Sequence, residues 1–172
     1  MSVRAGRHVM YALLPPVVLA QGCFVAGLVA VLLLARRAGM RVYALLTLPG
    51  TLAHELSHYL VALVLGLRPS GLCAIPVEQA DGTWRLGQVT LDGAKPLRAS
   101  VAALAPLLLL APAGYCTWRA AQSTLPASLL WNLGAAELLM TSLPSWQDLR
   151  VALPGLTLVL LVGLLVWRGW PQ

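Results

Sequence analysis

Apolar runs separated by short polar breaks alternate along the chain, and their lengths set the first reading of the fold. The run over residues 9–35 closes on Arg36 and Arg37 and exceeds the roughly 20 residues that a bilayer-crossing helix needs. It is too long for the apolar core of a secretory leader and ends in no small-residue cleavage pattern. A retained first helix is therefore expected, bent near Pro15 and Pro16. Further apolar helices are predicted over residues 42–67, 99–118, 127–143 and 151–167, the fourth helix short for a span and carrying Asn132 and Glu137. Pro49 and Gly50 are expected to kink the second or let another segment approach it. The small residues of the third, around Ala105, Pro106 and Pro112, suit close helix packing in lipid.

Residues 68–98 change character. Glycine and proline are frequent, Glu78, Asp81 and Asp92 fall here, and the stretch WRLGQVTL alternates with a period of two. Asp81-Gly82 divides two extended candidates, residues 72–77 and 83–91, which predicts a β-hairpin loop. If that loop docks near a reactive site, its strand edge can pair with an extended substrate. The chain is thus expected to be a single membrane-embedded domain over residues 1–172. Its fold class is an all-α polytopic membrane protein with four to five transmembrane helices and a small β-hairpin insertion. Its localisation is integral and multi-pass.

Composition agrees: 59% of residues are hydrophobic, 10% are charged, and the mean hydropathy of +0.78 is too high for an ordinary soluble domain. The net charge of +6 does not point to nucleic acid, because the Lys and Arg residues cap apolar runs and form no basic stripe. They are read as interfacial anchors, together with Trp170 and Pro171 after the last run. Simple alternation of five spans puts Arg4, Arg7, Arg68, Arg85, Lys95, Arg98 and Arg150 on one side. Arg36, Arg37, Arg41, Arg119 and Arg168 fall on the other, a balance too even to orient the chain. Cys23, Cys73 and Cys116 are odd in number and lack CxxC spacing, so no disulfide framework or redox role is expected.

Inside the second apolar run stands His54-Glu55-Leu56-Ser57-His58. Residues four apart on a helix lie about 6 Å apart along the axis and share a face, so His54 and His58 can ligate one metal ion. Glu55 can then serve as general base toward a water that Zn2+ acidifies to a pKa of roughly 7. The plain alternative is a pair of histidines hydrogen-bonded across a bundle. Ionisable groups in mid-span are costly, however, and mark function by default. A catalytic zinc takes a third protein ligand, and His8 at the basic N-terminus is a poor candidate. Carboxylates remain: Asp148, favoured because it follows a Pro-Ser break that suits a buried or water-lined site, and Glu137 as its rival. Interfacial pairing with Arg150 is the plain role for Asp148, and a hydrogen bond with Asn132 or Thr141 that for Glu137. Thr51, Ser57 and Ser145 are weak candidates for a water path, packing being the simpler role for Thr51 and Ser57.

These residues resemble the site-2 protease family of intramembrane zinc metalloproteases over residues 48–153. His54, Glu55 and His58 match the family's HExxH helix, residues 72–91 its β-rich segment, Ala105-Pro106 its small-residue-proline helix, and Asp148 its late zinc ligand. The resemblance is to a divergent, minimal member, since Thr141 stands three residues before Pro144 and Leu149 directly after Asp148, where the family has Asn and Gly. It implies a zinc metalloendopeptidase acting on membrane-protein substrates within the bilayer. It adds no PDZ or nucleotide-binding regulatory domain. A non-proteolytic zinc-binding scaffold or chaperone is the alternative. A small transporter or channel would need charges spread along a pathway, whereas these gather at one locus. Substrate-binding residues and oligomeric state are not specified.

Overall fold

The computed structural model describes residues 3–80, 82–93 and 95–169, with side chains from residue 19 onward apart from those of residues 92 and 169. The side chains of Arg4, Arg7, His8, Asp81, Asp92, Trp170 and Pro171 lie outside that set. The first apolar run forms α1 (Val3–Leu34), a continuous helix through Pro15 and Pro16 that ends in a 3-10 turn, Ala35–Ala38.

The second run breaks. Pro49 has no N–H for the carbonyl four residues earlier and its ring crowds that carbonyl. The result is α2 (Met40–Leu46) and α3 (Leu48–Val64), divided at Thr47 rather than kinked at Pro49. Thr47 is fully buried, and its hydroxyl donates to the Tyr43 carbonyl at 2.9 Å. The third run is likewise divided, into α4 (Pro96–Ala103), a 3-10 turn (Ala105–Leu109) and α5 (Leu110–Ala121). Next come α6 (Ala127–Thr141) and α7 (Trp146–Gly169), which begins five residues earlier than its apolar run and so takes in Asp148.

Two compact units result, Met1–Thr47 with Leu110–Met140 and Leu48–Leu109 with Thr141–Gln172. The first has a core of Val25 and Leu32 from α1 against Ala135 and Ala136 from α6, flanked by Leu28, Val29, Cys116 and Met140. Asn132 and Glu137 are buried there, and the Arg119 guanidinium stacks over the Trp131 ring at 5.5 Å.

In the second unit the predicted hairpin is two nested antiparallel pairs. β1 (Arg68–Cys73) pairs with β4 (Gln88–Asp92), placing Ser70 opposite Thr90. β2 (Val77–Glu78) pairs with β3 (Trp84–Arg85), and the Gln79 N–H donates to the Thr83 carbonyl at 2.8 Å across the turn. The ladder is interrupted between the pairs, where Pro76 can give no hydrogen bond. β1 and β4 pack against α3.

Polarity along α3 is inside out. Thr51, Glu55, His58 and Ala62 form its buried stripe, while Leu52, Leu56, Leu60 and Leu63 are exposed. A helix in water buries the leucines; this arrangement suits an apolar surrounding with a polar interior. α7 similarly exposes Leu158, Leu160, Leu161, Leu164 and Leu165. Among the described residues, Leu19–Ala38, Pro96–Ala121 and Trp146–Arg168 are helical stretches long and apolar enough to cross a membrane.

α4 and α7 meet at Ser100 and Gly155. The Gly155 N–H donates to Ser100 Oγ at 3.1 Å, and that hydroxyl lies 3.1 Å from the Val151 carbonyl and 2.8 Å from the Pro96 carbonyl. Ser100 thus inserts between Val151 C=O and Gly155 N–H, which pair with each other in a regular helix. A Cβ on Gly155 would stand 2.6 Å from the Ser100 Cβ. Gly155→Ala is therefore expected to destabilise the protein by about 1–3 kcal/mol through overpacking, read as a lowered thermal midpoint in detergent. An unchanged midpoint would show that the crossing yields without strain.

Candidate functional site

The site is assembled by α3, α4, the end of α6 and the start of α7, all from residues of the second unit. Helical spacing on α3 brings the rings of His54 and His58 to 4.8 Å between centroids, nearly perpendicular, with the two Nε2 atoms 3.2 Å apart. Asp148 reaches them from the first turn of α7: its Oδ2 is 3.3 Å from His54 Nε2 and its Oδ1 3.2 Å from His58 Nε2. Around a tetrahedral zinc with bonds of about 2.0–2.1 Å, neighbouring donor atoms stand roughly 3.3 Å apart. The two Nε2 atoms hold that spacing, and Asp148 meets it with one oxygen toward each ring; taken one atom per residue, the three donors lie within 4.8 Å of one another.

Both imidazoles are fixed from behind. His54 Nδ1 lies 2.7 Å from the Thr141 carbonyl and His58 Nδ1 2.8 Å from the Ala102 carbonyl. A carbonyl only accepts, so each Nδ1 carries a proton and each ring turns its Nε2 inward, where in the neutral tautomer it offers a lone pair. In that tautomer two lone pairs and a carboxylate face one another at close range, an arrangement that a positive charge among them stabilises. The donor set therefore fits a divalent cation, and its hydrogen-bonded outer layer is the kind that orients metal-ligating histidines.

Both carbonyls lie where their helix does not continue regularly. In a continuing helix the Ala102 carbonyl would accept from residue 106, but Pro106 has no N–H, and the chain passes into a 3-10 turn instead. The Thr141 carbonyl would accept from Ser145, but α6 ends at Thr141 ahead of Pro144. The Ser145 N–H donates instead to Asp148 Oδ2 at 2.7 Å, and the Asp148 N–H donates to Ser145 Oγ at 3.2 Å. This is a reciprocal capping box at the start of α7. The cap sets the carboxylate's direction, and one backbone break serves both His54 and Asp148.

Glu55 is buried on the same turn as the histidines. Its carboxylate packs against the backbone at Gly87, in the interruption between β3 and β4. A Cβ on Gly87 would fall 2.6 Å from Glu55 Cδ and closer still to Oε1. Sequence reasoning did not single out Gly87, since a glycine needed for close approach between distant segments leaves no periodic signal. Pro106, linked there to helix packing, has a second role beneath His58.

The remaining candidates separate cleanly. Arg150 stacks over the Trp146 ring at 5.2 Å, while Asp148 faces the two imidazoles. Ser57 donates to the His54 carbonyl at 2.7 Å, and Ser145 caps α7. Thr51 is buried in the α3 stripe. Among the described residues the ligand atoms that gather belong to His54, His58 and Asp148; Glu137 is buried in the first unit and is not in the group. The site is not sealed: the side chains of His54 and Asp148 are 13% and 17% exposed. The chain matches no family model, no curated protein and no solved structure.

Asp148→Ala is expected to lose bound metal and Glu137→Ala to keep it, measured as zinc per chain after purification; the opposite result would move the third ligand to Glu137. Pro106→Ala restores an N–H that competes for the Ala102 carbonyl. It is expected to weaken zinc affinity about tenfold in a chelator competition. Unchanged affinity would mean that His58 does not depend on that carbonyl.

Proposed function

We propose that the chain is an intramembrane zinc metalloprotease of the site-2 type, hydrolysing peptide bonds in or near the transmembrane segments of other membrane proteins. The observation that carries this reading is the meeting of His54, His58 and Asp148, with Glu55 on the same buried stripe, on a helix whose outer face is leucine. His54, His58 and Asp148 are the residues that would hold Zn2+. When bound, zinc polarises a peptide carbonyl and acidifies water toward a pKa of about 7.

The protein's own groups supply the rest. Asp148 and the two imidazoles would supply three protein ligands, the number that leaves a catalytic zinc a position for water or substrate. The Glu55 carboxylate takes the proton from the attacking water and passes it to the leaving amine nitrogen as the C–N bond breaks. The Gly87 backbone limits where that carboxylate can swing, which keeps the base oriented. The packing of β1 and β4 on α3 puts the extended segment beside the helix that bears the site. An unwound stretch of substrate can add to such a segment through main-chain hydrogen bonds. In this reading the protein is integral and multi-pass, with the lipid bilayer around it. α3 and α6 join the three longer apolar stretches as the fourth and fifth membrane segments, the shortness of α3 and α6 offset by their position among other helices.

Glu55→Gln is expected to lower cleavage of a single-span membrane substrate in proteoliposomes by at least about a hundredfold while zinc content stays at the wild-type level. Cleavage at the wild-type rate would remove the protease reading. A retained biological role in that variant would favour a zinc-dependent scaffold. Gly87→Ala is expected to leave zinc content unchanged and to reduce kcat by roughly ten- to a hundredfold, because a small displacement of a general base costs that much. Full activity would show that the contact with Gly87 does not set the position of Glu55.

A further inference from the structure

A second feature of the Leu48–Leu109 segment lies at the end of α3 away from its first turn. The chain leaves α3 through Gly66, whose φ of +69° suits a left-handed helix terminus, and the Leu67 N–H closes back on the Ala62 carbonyl at 2.9 Å. Beyond it, Gly66, Leu67, Arg68, Gly93, Lys95 and Arg98 line an open cavity of about 220 Å3. Among the described residues that line it, Arg68, Lys95 and Arg98 are cationic and come from separate places: the start of β1, the residue before α4, and the first turn of α4. Arg98 is anchored, with Nη1 donating to the Leu65 carbonyl at 3.2 Å, so the guanidinium is held at the rim.

Three like charges around one concavity repel each other and call for an anion. Asp92 is the register partner of Arg68 on β4. Counted in full, it leaves the cations in excess. The place in the fold decides which anion. Lys95 directly precedes Pro96, the first residue of the apolar stretch Pro96–Ala121, and the cavity also adjoins the end of α3. Val64, Leu97 and Val101 stand exposed within a turn of the cavity's residues on α3 and α4. A cationic hollow beside exposed hydrocarbon at the end of a membrane-length stretch matches a headgroup phosphate joined to acyl chains better than a free anion.

We propose that the cavity bounded by Arg68, Lys95 and Arg98 binds the phosphate of an anionic phospholipid headgroup. Arg98, positioned by Leu65, supplies the directional N–H donors. Arg68 and Lys95 supply charge. Neither the metal residues nor Glu55 takes part, so the site stands whether or not the chain is a protease.

The full chain in nonionic detergent would be titrated calorimetrically with short-chain phosphatidylglycerol, the matching phosphatidylcholine, and inorganic phosphate. Saturable binding of phosphatidylglycerol is expected, with much weaker binding of the other two. Joint Arg68→Gln and Lys95→Gln substitution is expected to weaken it roughly thirtyfold. Joint Arg68→Lys and Lys95→Arg, which keeps both charges, is expected to retain it, as is joint Arg36→Gln and Arg37→Gln in the other unit. Equal affinity for phosphatidylcholine, or inorganic phosphate bound as tightly as phosphatidylglycerol, would overturn the lipid assignment. The same follows if the charge-removing pair has no effect, or if either control pair loses as much affinity as that pair.

Discussion

Each histidine of the site is aimed by a bond from Nδ1 to a backbone carbonyl, and each carbonyl belongs to the end of a helix. Helix interiors do not provide such groups; helix ends do. The fold provides two, and proline is involved both times: Pro106 removes the donor that Ala102 would otherwise meet, and Pro144 lies just past the end of α6 at Thr141. The positions of the helix breaks in this unit are thus tied to the orientation of two side chains on another helix. A proline moved by one residue would return a carbonyl to its helix and release an imidazole.

The second consequence is electrostatic. Glu55, His58, His54 and Asp148 are gathered in a unit whose outer surface is largely leucine and valine. An isolated charge in such surroundings is expensive. The cluster reduces that cost by contact among its members: Asp148 faces both imidazoles, receives the Ser145 N–H, and is held by the cap at the head of α7. A divalent ion at the centre would complete the balance by replacing lone-pair repulsion with coordination. The same reasoning explains the inside-out pattern of α3. Its buried polar groups face inward, leaving the leucines to face an apolar environment.

Much of this was legible in the chain. HELSH is local, so its geometry follows from helical spacing alone, and Gly82 falls in the loop between β2 and β3 as a hairpin signal should. Asp148 was identifiable by residue type and by the broken segment before it. Its place inside α7 was not, although Ser145 and Asp148 have the spacing of a capping box and could have marked the helix start. Pro76 could have divided the hairpin, and Pro49 the second apolar run, since both remove donors the longer elements need. What no local pattern revealed is tertiary. Gly87 is required by a carboxylate more than thirty residues earlier, and the Ser100–Gly155 crossing joins positions 55 residues apart.

That crossing bears on the site as well as on stability. Ser100 lies two residues before Ala102, whose carbonyl holds His58, and Gly155 is two turns beyond Asp148 on α7. α4 and α7 therefore carry a ligand's support and a ligand, respectively, and are locked together within two turns of both. Without the lock, α7 could slide along α4 and change the distance from Asp148 to His58 while leaving every helix intact. A small residue on one helix and a hydroxyl on the other permit backbone approach close enough to prevent this. The metal geometry is in that sense tied to a helix crossing: Asp148 rides on α7, α7 is locked to α4 at Ser100 and Gly155, and α4 holds His58 of α3 through the Ala102 carbonyl.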